Sequence, residues 1–156
     1  MQVRKNTEVL EITHDELVNL FSTALYGSSY LSAEYNKEFY NSLPKEKRIG
    51  DCFEDKLADC LLNGGEIYLY DEQSEGEVYS SVGEANEEEG YTQYTITLVD
   101  VIEGLQKAAN GTYKVANDSK WVAECFSDFE EEGDGWDLYE ADALMQIILF
   151  NELVYG

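Results

Sequence analysis

The side chains in this chain that could move protons or hold metals are thirty-three carboxylates, three cysteines and one histidine, His14. Nucleophilic catalysis needs a Ser, Thr or Cys beside a base that a third group orients, and that base is usually histidine. His14 lies between Thr13 and Asp15 at the first turn of an amphipathic stretch, where a solvated or capping role is expected. Paired carboxylates can hydrolyse glycosides, but with this many acids, pairs arise by number alone. No catalytic residue is assigned. Cys52 and Cys60 fall on one expected helix, about 12 Å apart along its axis and too far to bridge, so they read as reduced core thiols. No C-x-x-C pair accompanies the lone histidine, so no structural zinc site is expected.

The most specific cation-binding pattern spans residues 128–140, between two expected helices, where an EF-hand loop would sit. In one frame Asp128, Glu130, Glu132 and Gly133 fill positions one, three, five and six, with glycine at the sharp turn. Position twelve then falls on Tyr139, and the bidentate glutamate comes one residue late at Glu140. A frame starting at Glu130 puts Gly135 at the turn but Ala141 at position twelve. An acidic interhelical loop is the simpler expectation, and neither metal nor cofactor is assigned. Gly64-Gly65 precedes an expected strand, not a helix, so it is not a phosphate-binding loop.

The elements that would position these residues follow from apolar spacing. Thr13 and Glu16 form a capping box before Leu17, Leu20, Phe21 and Leu25, and Gly27 ends that helix. Residues 31–43, with Tyr35, Phe39 and Tyr40, read as a second helix that stops before Pro44. Residues 51–63 form a third, closed by Asn63-Gly64-Gly65. Strands are expected at residues 67–70, 77–82 and 91–97, rich in Tyr, Thr and Val, and the last runs into a helix capped by Thr97 and Asp100. Trp121, Val122, Cys125, Phe126 and Phe129 mark a further helix. A final one begins near Glu140, and its nearly apolar residues 141–149 should be the most buried element, with Val154 and Tyr155 folding back. The expected fold is α+β: a small antiparallel three-stranded meander against five to six helices, in one domain over residues 1–156.

Charge is the strongest feature. After Lys120 come ten carboxylates and no Lys or Arg, and residues 57–106 hold twelve acids without a base. Of the net −23, residues 49–156 carry −22, as twenty-six acids against four lysines. Like-sign accumulation destabilises a fold by self-repulsion, so it asks for a reason beyond solubility. At 44% hydrophobic and 13% aromatic, the chain is too apolar for a disordered acidic tail. No apolar run reaches the ~18 residues of a membrane span, and residues 1–13 lack a signal-peptide pattern, so a cytoplasmic protein is expected. Direct nucleic-acid binding would need the Lys and Arg clusters that residues 49–156 lack.

The inverse fits better: a protein that binds nucleic acid offers a positive channel, which a folded surface of fixed carboxylates can fill. Carboxylates four residues apart on a helix stand ~5–6 Å apart, and alternate residues of a strand stand ~6.6 Å apart, so both can follow a row of phosphates. In size, charge and the aromatic-acidic texture of residues 68–71 and 130–142, the chain resembles small acidic phage and plasmid anti-defence proteins. These are DNA mimics that block restriction enzymes or CRISPR nucleases. The resemblance implies an inhibitor of a basic nucleic-acid-binding nuclease, without turnover. A homodimer would extend the short charged surface of one monomer. The acids expected to meet the partner are Asp71, Glu72, Glu75 and Glu77, then Glu84, Glu87, Glu88 and Glu89. The tail adds Asp128, Glu130, Glu131, Glu132, Asp134, Asp137, Glu140 and Asp142. An immunity protein against a nuclease toxin has similar size and acidity. A calcium-dependent module using residues 128–140 and an acidic hydrolase with two buried carboxylates of unlike pKa are readings from other classes. Calorimetry separates the calcium module: a heat-silent calcium titration with an unshifted melting temperature is expected, and saturable heat would restore it.

Overall fold

Thr13 and Glu16 cap the first helix reciprocally: Thr13 Oγ1 accepts from the Glu16 N–H at 3.2 Å, and the Thr13 N–H donates to Glu16 Oε1 at 3.1 Å. The structure, a computed structural model, describes residues 2–3, 9–110, 114–115 and 136–155. In chain order these form β1 (Gln2–Val3), β2 (Val9–Glu11), α1 (His14–Tyr26), β3 (Leu31–Tyr35) and α2 (Lys37–Ser42). After a 3-10 turn at Lys45–Lys47 come α3 (Phe53–Leu62), β4 (Ile67–Asp71), β5 (Gly83–Asn86), β6 (Tyr91–Ile96) and α4 (Leu98–Asn110). The described chain closes with β7 (Lys114–Val115), α5 (Leu138–Phe150) and β8 (Glu152–Leu153).

The class is α+β, with a four-stranded antiparallel sheet in the order β3-β4-β6-β5 and five α-helices among the described residues. The expected three-stranded meander is corrected to this four-stranded sheet, and two misplaced elements account for the difference. Residues 31–43 are not one helix: Leu31, Ala33 and Tyr35 alternate with Ser32 and Glu34, and all five residues pair with β4. Asn36 then starts the short α2 by accepting from the Phe39 N–H at 3.0 Å. The strand expected at residues 77–82 lies instead at Gly83–Asn86, paired with β6 through Asn86↔Tyr91 and closed by a turn at Gly90, whose φ is +77°. Residues 83–86, Gly-Glu-Ala-Asn, have little strand propensity, so cross-strand pairing decides their state. The helix expected from Trp121 to Phe129 lies outside the described residues.

The helices cover one face of the sheet. α3 packs on β3 and β4, α1 on β3, α4 on β6, and α5 packs against α1 and α4. As its apolar stretch predicts, α5 is buried on nearly every side, from Ala141 and then from Ala143 through Phe150. The Asp137 side chain caps it, accepting from the Glu140 N–H at 2.8 Å. Thr97 and Asp100 cap α4 as expected, with the Thr97 N–H donating to Asp100 Oδ2 at 2.9 Å. No helix of the described residues is long and apolar enough to cross a membrane.

α4 and α5 meet so closely at Gly104 that an added Cβ would stand 2.7 Å from the Ile148 Cα and 2.5 Å from its Cγ1. Alanine favours a helix over glycine by about 1 kcal/mol. Here the obstruction includes backbone, so the helices must separate, at about 1–3 kcal/mol for an overpacked core. Gly104→Ala is expected to lower the urea-unfolding free energy by up to about 2 kcal/mol; a stabilised variant would show the contact to be loose.

Candidate functional site

Sheet register gathers the acids at one end. Leu31, Asp71, Thr92 and Ala85 form one row across β3, β4, β6 and β5. Beyond that row lie the start of the loop that leaves Asp71 and the turn that joins β5 to β6. The loop folds back, because Thr92 Oγ1 lies 2.8 Å from Ser74 Oγ and donates to the Glu77 carbonyl at 2.7 Å. Glu75 and Gly76 turn through positive φ, 53° and 85°. Glu72, Glu75 and Glu77 are thereby exposed beside the exposed Glu87, Glu88 and Glu89 of the turn. Glu84, also exposed, lies further along β5 opposite Gln93. Cations collect elsewhere: Arg48 and Lys56 lie 5.7 and 5.6 Å from the centre of the Tyr40 ring, beyond the opposite end of β3.

The N-terminal turn of α5 joins the acidic end through Tyr30. Its hydroxyl donates to Asp142 Oδ1 at 2.6 Å, and its carbonyl accepts from the Glu72 N–H at 2.8 Å. Asp137 is exposed, and Glu140 forms the capping box with it. Two of the expected partner-binding acids do not project. Asp71 is fully buried, with the Tyr155 hydroxyl 2.8 Å from Oδ2 and 3.0 Å from Oδ1, while Oδ1 also accepts from the Gln73 N–H. Asp142 is half-buried and also accepts from Gln146 Nε2 at 2.8 Å. The inward pleat of β4 dictates the first case, since Ile67, Leu69 and Asp71 share the core face. Asp128, Glu130, Glu131, Glu132 and Asp134 lie outside the described residues.

Burial raises the Asp71 carboxyl above its ordinary range, against the opposing pull of its Tyr155 and Gln73 hydrogen bonds. Burial, then the neighbouring carboxylate, likewise raises Tyr30 beside Asp142 and Tyr155 beside Asp71. These tyrosines stay protonated and act as fixed donors to anions. The two carboxylates do not share one cavity: Asp142 lines a cleft with Tyr30 and Tyr155, and Asp71 is sealed from solvent.

The sheet face away from the helices adds a feature that the helical reading of residues 31–43 hid. Register places Ser32, Tyr70, Gln93 and Glu84 in one row, with Glu34, Tyr68 and Thr95 in the next row on this face. Tyr70 donates to Glu34 at 3.1 Å and packs edge-on against Tyr91 with ring centres 5.6 Å apart. Its hydroxyl is pushed up to about 12 by burial and then by Glu34. The four strands contain no Lys or Arg. The period-two pattern of Leu31, Ala33 and Tyr35 was the available signal for Glu34.

His14 is neither solvated nor a cap. Its side chain is 12% exposed and faces α3, with Nε2 3.2 Å from Asp59 Oδ1 and 3.6 Å from Asp55 Oδ1. Thr13 does the capping, so the ring is free to pack between α1 and α3. The buried Asp59 also accepts from the Ile49 N–H at 3.0 Å through Oδ2, anchoring the segment ahead of α3. Cys60 is a core thiol, pushed up to about 11 by burial and then by Asp59, whereas Cys52, just before α3, is exposed. No group of three or more His, Cys, Asp or Glu that could hold a metal occurs among the described residues. Comparison with known proteins found no matching family model, curated sequence or solved structure.

Because the Asp71 carboxyl is raised above 3.8, the folded protein holds that proton more tightly than the unfolded chain. Its contribution to stability is therefore greatest below 3.8 and declines as pH rises from 3.8 through the raised folded value. Asp71→Asn keeps an oxygen for Tyr155 and Gln73 and removes the decline. Urea unfolding should favour the variant more at about pH 7 than at about pH 4; a flat or opposite trend would contradict the assignment.

Proposed function

We propose that this protein is a nucleic-acid mimic that occupies the basic groove of a defence nuclease, of restriction or CRISPR type, and excludes its substrate. The observation that carries this reading is the gathering of Glu72, Glu75, Glu77 and Glu87–89 at one end of a sheet whose strands contain no Lys or Arg. A groove built to bind phosphates would meet these carboxylates with the same Lys and Arg side chains, releasing bound counterions. The Tyr68, Tyr70 and Tyr91 face supplies contact area with polar tips, suited to a rim around a charged centre. Asp71, sealed from solvent, contributes field and architecture rather than direct contact, and the exposed acids supply the broad contact with the groove.

Affinity capture from cells carrying a restriction or CRISPR system identifies the partner, and a nuclease with a basic substrate channel is expected. Capture of a nuclease toxin from its own producing strain would move the reading to an immunity protein. With the partner in hand, Glu87→Gln, Glu88→Gln and Glu89→Gln together should slow association about tenfold at low salt, because steering follows exposed charge. The unfolding midpoint should hold or rise as self-repulsion falls. Association indifferent both to these changes and to salt would refute the mimic.

A further inference from the structure

The cleft beside Asp142 is shaped for something more selective than a field of charge. It encloses about 370 Å³ between the end of α1, the loop of residues 27–30 that leads into β3, Gln73, the start of α5 and the C-terminal segment. We infer that it receives one arginine side chain of the basic partner, a proposal that rests on the mimic reading and gives it a specific contact.

Tyr30 and Tyr155 line it with ring centres 4.4 Å apart. Leu138 forms an apolar wall, lying 2.9 Å from where a Cβ on Gly27 would stand, and Tyr139 stands at the mouth, 75% exposed. Asp142 supplies the anion. One of its oxygens accepts from the Tyr30 hydroxyl and the other from Gln146. A carboxylate offers about four acceptor sites, which leaves roughly one open on each oxygen. Two open sites side by side match the forked N–H groups of a guanidinium better than the single point of an ammonium. Gln146 cannot swing away, because its Oε1 already accepts from the Val154 and Tyr155 N–H groups at 2.8 and 2.9 Å. No Lys or Arg among the described residues lines the cleft or pairs with Asp142. A planar cation can lie on the exposed ring of Tyr139 while its aliphatic stem runs along Leu138.

The test uses the full chain, isotope-labelled for amide NMR and titrated with N-acetyl-arginine amide or N-acetyl-lysine amide at equal ionic strength. Shifts should concentrate at Ser28, Ser29, Leu138 and Tyr139, and arginine should bind about threefold or more tighter than lysine. Tyr139→Ala removes an exposed ring, so folding should be unaffected while the arginine preference falls about two- to threefold. This variant keeps the test decisive even if Asp142→Asn, which disturbs Gln146, fails to fold. Equal shifts from both cations spread over residues 84–89, or an unchanged spectrum at tens of millimolar, would overturn the cleft. The mimic reading would then stand or fall separately on the association kinetics of the residue 87–89 variants.

Discussion

The buried side chain of Gln146 is the interaction on which the acidic end depends. It lies in α5 at 1% exposure and makes four hydrogen bonds: two from the N–H groups of Val154 and Tyr155, one to the Tyr155 carbonyl and one to Asp142. A buried amide is expensive when its partners are missing and orients its neighbours when they are all present. Here it folds the C-terminal segment back, which delivers the Tyr155 hydroxyl to Asp71 and seals the core face of β4. Through Asp142 and Tyr30 the same network reaches the loop at Glu72. The buried Asp71 carboxyl is thus held by the Tyr155 hydroxyl and the Gln73 N–H, both neutral donors.

This arrangement reconciles a net charge of −23 with a folded core. Repulsion among exposed carboxylates is screened by salt within about 8 Å at physiological ionic strength, whereas the core that opposes it is apolar and local. α5 supplies much of that core, with Leu144, Met145, Ile147, Leu149 and Phe150 almost wholly buried. The strand register sets the exposed acids of residues 72–77 and 87–89 apart from Arg48 and Lys56 near Tyr40, so those two cations do not neutralise the acid-bearing end.

Much of this architecture could be read from residue spacing. The α1 capping box and the Thr97–Asp100 cap rest on interactions within a few residues, where propensity and local hydrogen bonds agree, and the burial of α5 follows from an apolar run that distant α1 and α4 must cover. β3 and β5 were misplaced because their state depends on partners far along the chain: five residues of alternating pattern adjoin a real helix, and Gly-Glu-Ala-Asn pairs despite poor propensity. The site was legible in part. Composition locates the acidic loops, but only the pleat reveals that Asp71 faces inward, and only the packing of α1 on α3 explains why His14 meets Asp59 instead of solvent. Glu34 and the tyrosine face went unseen for the same reason as β3.

Nucleic-acid mimicry requires that this protein and the nuclease's own substrate compete for one groove. The direct measurement is a competition titration, following the anisotropy of a labelled substrate duplex bound to the captured nuclease as this protein is added. The account predicts complete displacement at saturating protein at low salt, with the midpoint rising as the duplex concentration is raised. A ternary complex that keeps the duplex bound at saturating protein would contradict it.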